Sequence, residues 1–436
     1  MPCPDSTSPP RVWALLGPRT GDNNQVLALA EALGWPFEAK PLRYTLLHRV
    51  PPLLAGAGTA RLDPASRALL QPPWPDVVIG VGRRGVPVAR WIKARAGGTV
   101  ALVQIGRPRA PLRWFDLVVT TPQYGVPAGA NVLPLPVPMS RVTPERLRAA
   151  GQACGAGLDA YPRPRLALLL GGPSPPLRPR AADAVDAFAR LQRRAREGGG
   201  SVLVIGSRRT PAALLAAVAA RAWASDVPAA LLGGDAYLGL LALADEVHVT
   251  ADSAAMLGDA VASGHPVGLV PVGEHRFGAA LLRAVRRLRL SGGPVARAWD
   301  ALARRGLAGW PRDLWFVWRQ AERLGLAGTL DRPARGASPP SPAAIPLGTH
   351  PGPSQDGLRS PVSGGASLPP SGDESLRDRG GGVGRRGAEM AAERVRRLLR
   401  PGEGPTARCD RDTGPPTPGR PGERGDARFP PARSRG

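Results

Sequence analysis

The stretch VTADSAAMLGDAVASGHPVGLVPV, residues 249–272, gathers polar groups at the tip of an apolar run. Thr250, Asp252 and Ser253 stand where a strand-like segment ends, and Asp259 falls on the small-residue helix predicted to follow. Ser253 is placed to cap that helix, which is the plain structural reading. Met256 and Asp259 lie on about one helical face beyond it. The functional reading makes Asp259 a carboxylate able to accept both hydroxyls of a ribose. Tyr237, in the upstream GDAYLG, is predicted near the same pocket. Open α/β sheets hold their ligands at such strand ends.

Other loops repeat the pattern. In GPRTGDNNQ (17–25), Gly17 and Gly21 suit a tight bend, and Thr20 or Asp22 suits a cap. The free N–H groups of the next helix, with Arg19, would hold a phosphate or pyrophosphate. GVGRRG (80–85) matches a dinucleotide fingerprint. About 20 residues on, where a ribose-binding acid belongs, stand Gln104, Ile105 and Gly106, which counts against NAD and against an NAD-dependent oxidoreductase or epimerase. Arg83 and Arg84 could still serve a phosphate, or simply be solvated at the sheet's carboxyl edge. GSRRTP (206–211) sets Ser207, Arg208, Arg209 and Thr210 ahead of Pro211, predicted at a first helical turn, and suits a diphosphate. LGGPS adds Gly171 and Gly172 in the same half. Each loop alone also reads as an ordinary capped turn. Their convergence on one sheet edge favours binding.

The elements that must position these loops alternate strand and helix from Arg11 onward: RVWALLG, DVVIGVG, TVALVQIG, RLALLLGG and SVLVIGS are short apolar runs between helical patterns. This rhythm predicts mostly parallel sheets covered on both faces. The fold class expected is α/β, two Rossmann-like domains facing a cleft. The first spans 11–140, a linker 141–163, and the second 164–330. From 331 to 436 the chain turns to Pro, Gly, Ser and Arg and is predicted disordered, except for a helix at 387–400.

The chain has 436 residues, 43% of them hydrophobic, and a net charge of +24. Lys40 and Lys93 are the only lysines, so the charge is arginine dispersed among Ala, Gly and Pro, as a GC-rich genome writes it. That pattern excludes a nucleic-acid stripe and leaves a basic surface suited to phosphorylated ligands or an anionic membrane. Cys3, Cys154 and Cys409 form no CxxC and pair with no histidine motif, so no metal site or disulfide framework is expected. The N-terminus carries no signal pattern, and the expected location is cytoplasmic, peripheral on the inner face of the cytoplasmic membrane.

GPRTGDNNQVLALAEALG, VIGVGRRGVPVAR, QIGRPR…FDLVVTTPQY, GGPS, SRRTP, YLGLLALADEVHVTADSAAM and ASGHPV occur in the order found in the mitochondrial-fission ELM ("elongated mitochondria") family, which this chain resembles over roughly 11–290. The family is similar to GT-B glycosyltransferases, including lipid-II-forming N-acetylglucosaminyltransferases. The resemblance implies a nucleotide-sugar donor in the second half, no metal, and a lipid-linked or envelope acceptor in the first. It implies Asp22 as general base, where many relatives have His. Asp259 replaces the usual Glu at the ribose, and Asp235-Ala236-Tyr237 replaces a common Asn-Pro-Tyr. Plant members are implicated in recruiting a dynamin-type protein to mitochondria. The alternative expectation is therefore a non-catalytic scaffold that meets protein partners at a membrane surface.

Overall fold

In a computed structural model, residues 8–334 and 383–400 are described. The first half runs β1 (Val12–Leu16), α1 (Thr20–Leu33), β2 (Phe37–Pro41), the short helices α2 (Pro52–Ala55) and α3 (Pro64–Ala68), then β3 (Val77–Val81), α4 (Val86–Arg95), β4 (Ala101–Ile105), β5 (Leu117–Thr120) and β6 (Val132–Pro134). Its sheet is wholly parallel in the order β2-β1-β3-β4-β5-β6. The inner strands β1, β3, β4 and β5 are short, continuous apolar runs because both faces are covered, whereas the edge strand β2, FEAKP, is largely exposed. Val12 and Ala14 point into one core layer and Trp13 and Leu15 into the other, as alternation along a strand requires.

The second half begins earlier than the predicted 164. The predicted linker contains α5 (Pro144–Leu158), capped by the Thr143 hydroxyl, and Val142 and Leu158 belong to the second half's core. Next come β7 (Arg165–Leu170), α6 (Ala181–Glu197), β8 (Ser201–Gly206), α7 (Ala212–Trp223), β9 (Ala229–Leu232), α8 (Tyr237–Leu243), β10 (Glu246–Thr250), α9 (Ala254–Ser263) and β11 (Val267–Val270). The helices α10 (Arg276–Ser291), α11 (Pro294–Arg304) and α12 (Trp315–Arg323) precede the edge strand β12 (Gly328–Thr329). The order β9-β8-β7-β10-β11-β12 is that of a Rossmann sheet.

The predicted helix at 387–400 is α13 (Val383–Leu398), four residues longer at its start. It returns to the first half: Ala388, Ala391, Ala392 and Val395 are buried in the core layer that α1 supplies. Of the disorder predicted over 331–436, residues 331–334 are instead ordered, with Ala334 bridged to Val267 through both backbone hydrogen bonds, and 335–382 and 401–436 lie outside the described residues. Two Rossmann-like halves facing one another form the GT-B-like architecture expected from the sequence.

Candidate functional site: the cleft between two switch points

In each sheet the strand order reverses once, and the two loops flanking that reversal leave a crevice. In the first half the loops follow β1 and β3; in the second they follow β7 and β10. The two crevices face each other. The first turn of α1 abuts that of α9, where a Cβ on Gly21 would lie 3.1 Å from the Ala255 Cβ.

The first-half crevice is a cavity of about 210 Å³ lined by Gly17, Arg19, Asp22, Tyr44, Gly82, Arg83 and Arg84, among others. Gly82 needs its glycine, with φ at +61°. Gln104 pins that loop, donating from Nε2 to the carbonyls of Gly82 at 2.9 Å and Ile105 at 3.0 Å. Neither α1 nor α4 has a side-chain cap, so their leading N–H groups face the crevice without one. Burial pushes the Tyr44 hydroxyl up to about 12, against the pull of Arg84 and Arg61.

Asp22 stands at the boundary of the halves. Burial raises its carboxyl above the usual range, and Arg19, Arg312, Arg209 and Arg84 pull it back. Two of these arginines come from each half. Tyr124 lies in the same field, its hydroxyl raised by burial and influenced by Arg312, Asp22 and Arg19. Arg312 is held by Ser174, donating from Nη1 to Oγ at 2.6 Å. Behind them Asp252 is fully buried, and neither carboxylate oxygen has a hydrogen-bond partner. Burial raises its pKa, offset in part by the nearby Thr250 hydroxyl and its own backbone N–H, which fall short of well-formed hydrogen bonds, and then by Arg209 and Arg312.

The sequence profile described as Mitochondrial fission ELM1 matches residues 20–305. The chain belongs to that family. An uncharacterized Rickettsia prowazekii protein, RP120, is 31% identical to this ELM1-family chain over 114 residues, which is 25% of the chain and 30% of that relative's length. Among solved structures, the UDP-GlcNAc 2-epimerase of Methanocaldococcus jannaschii has a TM-score of 0.38 at 11% identity, covering 62% of this chain and 87% of its own. The ADP-heptose heptosyltransferase II of E. coli has a TM-score of 0.37 at 14% identity, covering 59% and 84%.

This ELM1-family chain spends several of the predicted ligand groups on its own fold. Thr20 and Asp22 do not cap α1; Arg19 occupies the N-cap position without a side-chain bond. Asn23, which the sequence reading passed over, closes the loop instead, bonding both N–H and C=O of Gly17 at 2.8 Å. Gly17 and Gly21 have no left-handed backbone, and Gly21 serves close approach rather than a bend. Thr250 accepts from Gly171 N at 2.7 Å, stitching β10 to β7. Thr210 Oγ donates to the carbonyls of Leu170 and Gly171 and accepts from Ser207 N, while Ser207 Oγ accepts from Arg209 N. Both hydroxyls therefore shape the loop. Arg208 and Arg209 are both exposed, and of the two only Arg209 acts on the Asp22 carboxyl. Pro211 is the N-cap of α7 rather than its first helical residue.

Ser253 caps α9, donating nothing and accepting from Met256 N at 3.4 Å, and Met256 is a core residue. Asp259 is half-buried and engaged on both oxygens, by Ser140 Oγ at 2.5 Å and Tyr237 OH at 3.1 Å. Gly171 and Gly172 do serve tight packing. A Cβ on Gly171 would sit 2.6 Å from Asp252, and one on Gly172 would strike the Arg209 carbonyl. Arg312 and Tyr124 are cleft residues that sequence reading missed, because they lie outside any strand–loop–helix pattern; Ser174 closes the LGGPS loop, of which only the two glycines were singled out. Among the described residues, no group of His, Cys, Asp or Glu is arranged to hold a metal.

Proposed function

We propose that the cleft transfers a sugar from a nucleoside-diphosphate sugar to an acceptor hydroxyl, with Asp22 as general base. The observation that carries this reading is a half-buried carboxyl among arginines contributed by both halves. The acceptor would enter the first-half cavity, and the donor diphosphate would lie against Arg209 and Arg312. Asp22 would take the acceptor's proton as the acceptor oxygen bonds to the anomeric carbon. As that bond forms, the bond from the anomeric carbon to the diphosphate breaks, and the diphosphate leaves with the electron pair. Fixed guanidinium groups and helix N-termini are suited to stabilise that charge.

A second reading, a scaffold on an enzyme-like fold, draws support from the internal engagement of Ser207, Thr210, Thr250 and Asp259. Calorimetry with UDP, ADP and GDP and their sugars separates the two. For the transferase, at least one binds. Arg209→Ala then weakens it by about 2 kcal/mol, as loss of a charge-assisted bond should, and Arg208→Ala weakens it less. Asp22→Asn keeps binding and loses turnover. A parent chain that binds none of them at millimolar concentration sinks the transferase and leaves the scaffold.

A further inference from the structure

The helices α10 and α11 leave apolar side chains uncovered. Leu281 is 69% exposed, Leu288 38%, Val295 60%, Trp299 39% and Leu302 40%, and Leu307, three residues past the end of α11, is 62% exposed. The spacing is not random. Leu281, Ala284 and Leu288 recur at i, i+3 and i+7 on α10, and Val295, Trp299 and Leu302 at i, i+4 and i+7 on α11. Each set forms a stripe along one helical face. Neither stripe is the face that packs inward. Ala279 of α10 and Ala296 and Ala303 of α11 are the buried positions, and Arg286 and Arg289 turn inward to Asp313 and the Pro122 carbonyl. Each helix thus has a face against the protein and a second apolar face that is largely exposed, on which Trp299 is partly covered by the Trp310 ring, with centroids 5.8 Å apart.

Charge decides what suits that second face. Residues 276–307 hold eight arginines against one acidic residue, Asp300. Arg283, Arg287, Arg297, Arg304 and Arg305 are exposed. An apolar stripe flanked by arginines, with an interfacial tryptophan, is the pattern of a helix lying in an anionic lipid surface. The stems of the arginines can cover apolar surface while their heads stay at phosphate level. No described helix is long and apolar enough to cross a membrane, so the contact would be one of surface docking.

We propose that α10 and α11 dock this protein on an anionic phospholipid bilayer, with Leu281, Leu288, Val295, Trp299 and Leu302 seated among the acyl chains and the exposed arginines on the headgroup phosphates. The hairpin also touches the first half: Arg289 donates to Pro122 O and Arg304 to Ala128 O. A docked hairpin therefore sets one rim of the cleft at the membrane. The proposal does not depend on sugar transfer, because lipid binding is read without any nucleotide.

The test is sedimentation of the full chain with sucrose-loaded vesicles of phosphatidylcholine alone or mixed with phosphatidylglycerol. Binding is expected to the mixed vesicles and not to phosphatidylcholine. The charge-neutral pair Leu281→Gln/Leu302→Gln and the pair Arg283→Glu/Arg287→Glu should each weaken it about tenfold or more, since apolar burial and charge act together. Arg193→Glu/Arg221→Glu removes as much charge elsewhere and should weaken it little; equal losses would trace binding to diffuse net charge and overturn the proposal. Melting temperatures confirm that the variants fold, and Trp299→Phe should retain binding. Absence of binding to mixed vesicles overturns the proposal, as does retention of parental affinity in the glutamine pair. So does a parent dimer that the glutamine pair converts to monomer, which would assign the stripes to a second copy.

Discussion

Burial holds the Asp259 carboxyl up at about 6 although Ser140 and Tyr237 both donate to it. Its unfolded value is near 3.8. Between those values the unfolded chain has lost the proton that the folded chain keeps, so the unfolded state binds fewer protons and stability falls as pH rises. Asp22 and Asp252 are shifted in the same direction and add to the trend. Asp259→Asn should flatten part of this fall: the urea midpoint of the variant, relative to the parent, should rise from pH 4 to pH 7. A constant difference across that range would show that Asp259 is ionised in the fold throughout. For Asp22 the corresponding measurement is kinetic. Arg312 lowers its pKa, so Arg312→Ala should move the acid limb of a kcat/KM profile to higher pH. A limb that stays in place would remove Arg312 from the field of the base.

At the scale of elements, the contact of α1 with α9 turns on one missing side chain. Gly21→Leu would drive a branched side chain onto Ala255 and separate the two first turns. It should enlarge the radius of gyration in X-ray scattering and lower the melting temperature; unchanged scattering would mean that the halves do not touch there in solution. Most of these elements were legible beforehand. Strands such as 77–81 and 165–170 are buried on both faces, so they appear in the sequence as unbroken apolar runs ended by glycine. The fate of the loop hydroxyls was not legible. Whether Thr210 meets a ligand or the Leu170 carbonyl depends on how β8 sits beside β7, forty residues away, which no local pattern encodes. Arg312 was hidden for a similar reason: it reaches the cleft from an irregular segment between α11 and α12. The α13 helix was readable by its own period, but not its dock, since an apolar stripe does not name its partner.

Across the whole molecule, α13 ties the end of the described chain to its beginning. Its contacts include α1 of the first half and α9 of the second, and Arg396 donates to the Ala32 carbonyl at 2.6 Å. Ala391 has no exposed surface. Ala391→Glu should therefore cost about 3 kcal/mol or more, as an unpaired buried charge does, and calorimetry should show the loss; an unchanged transition would mean that α13 is not docked in solution. The dock also has a consequence for biosynthesis. The layer holding Val26, Leu29 and Leu33 is closed by Ala388, Ala391 and Val395, which the ribosome makes after the rest of that layer. At about 5–20 residues per second, that interval is on the order of tens of seconds. The nascent first half must spend it with one flank of its core open, exposing apolar surface to non-native contacts until α13 arrives.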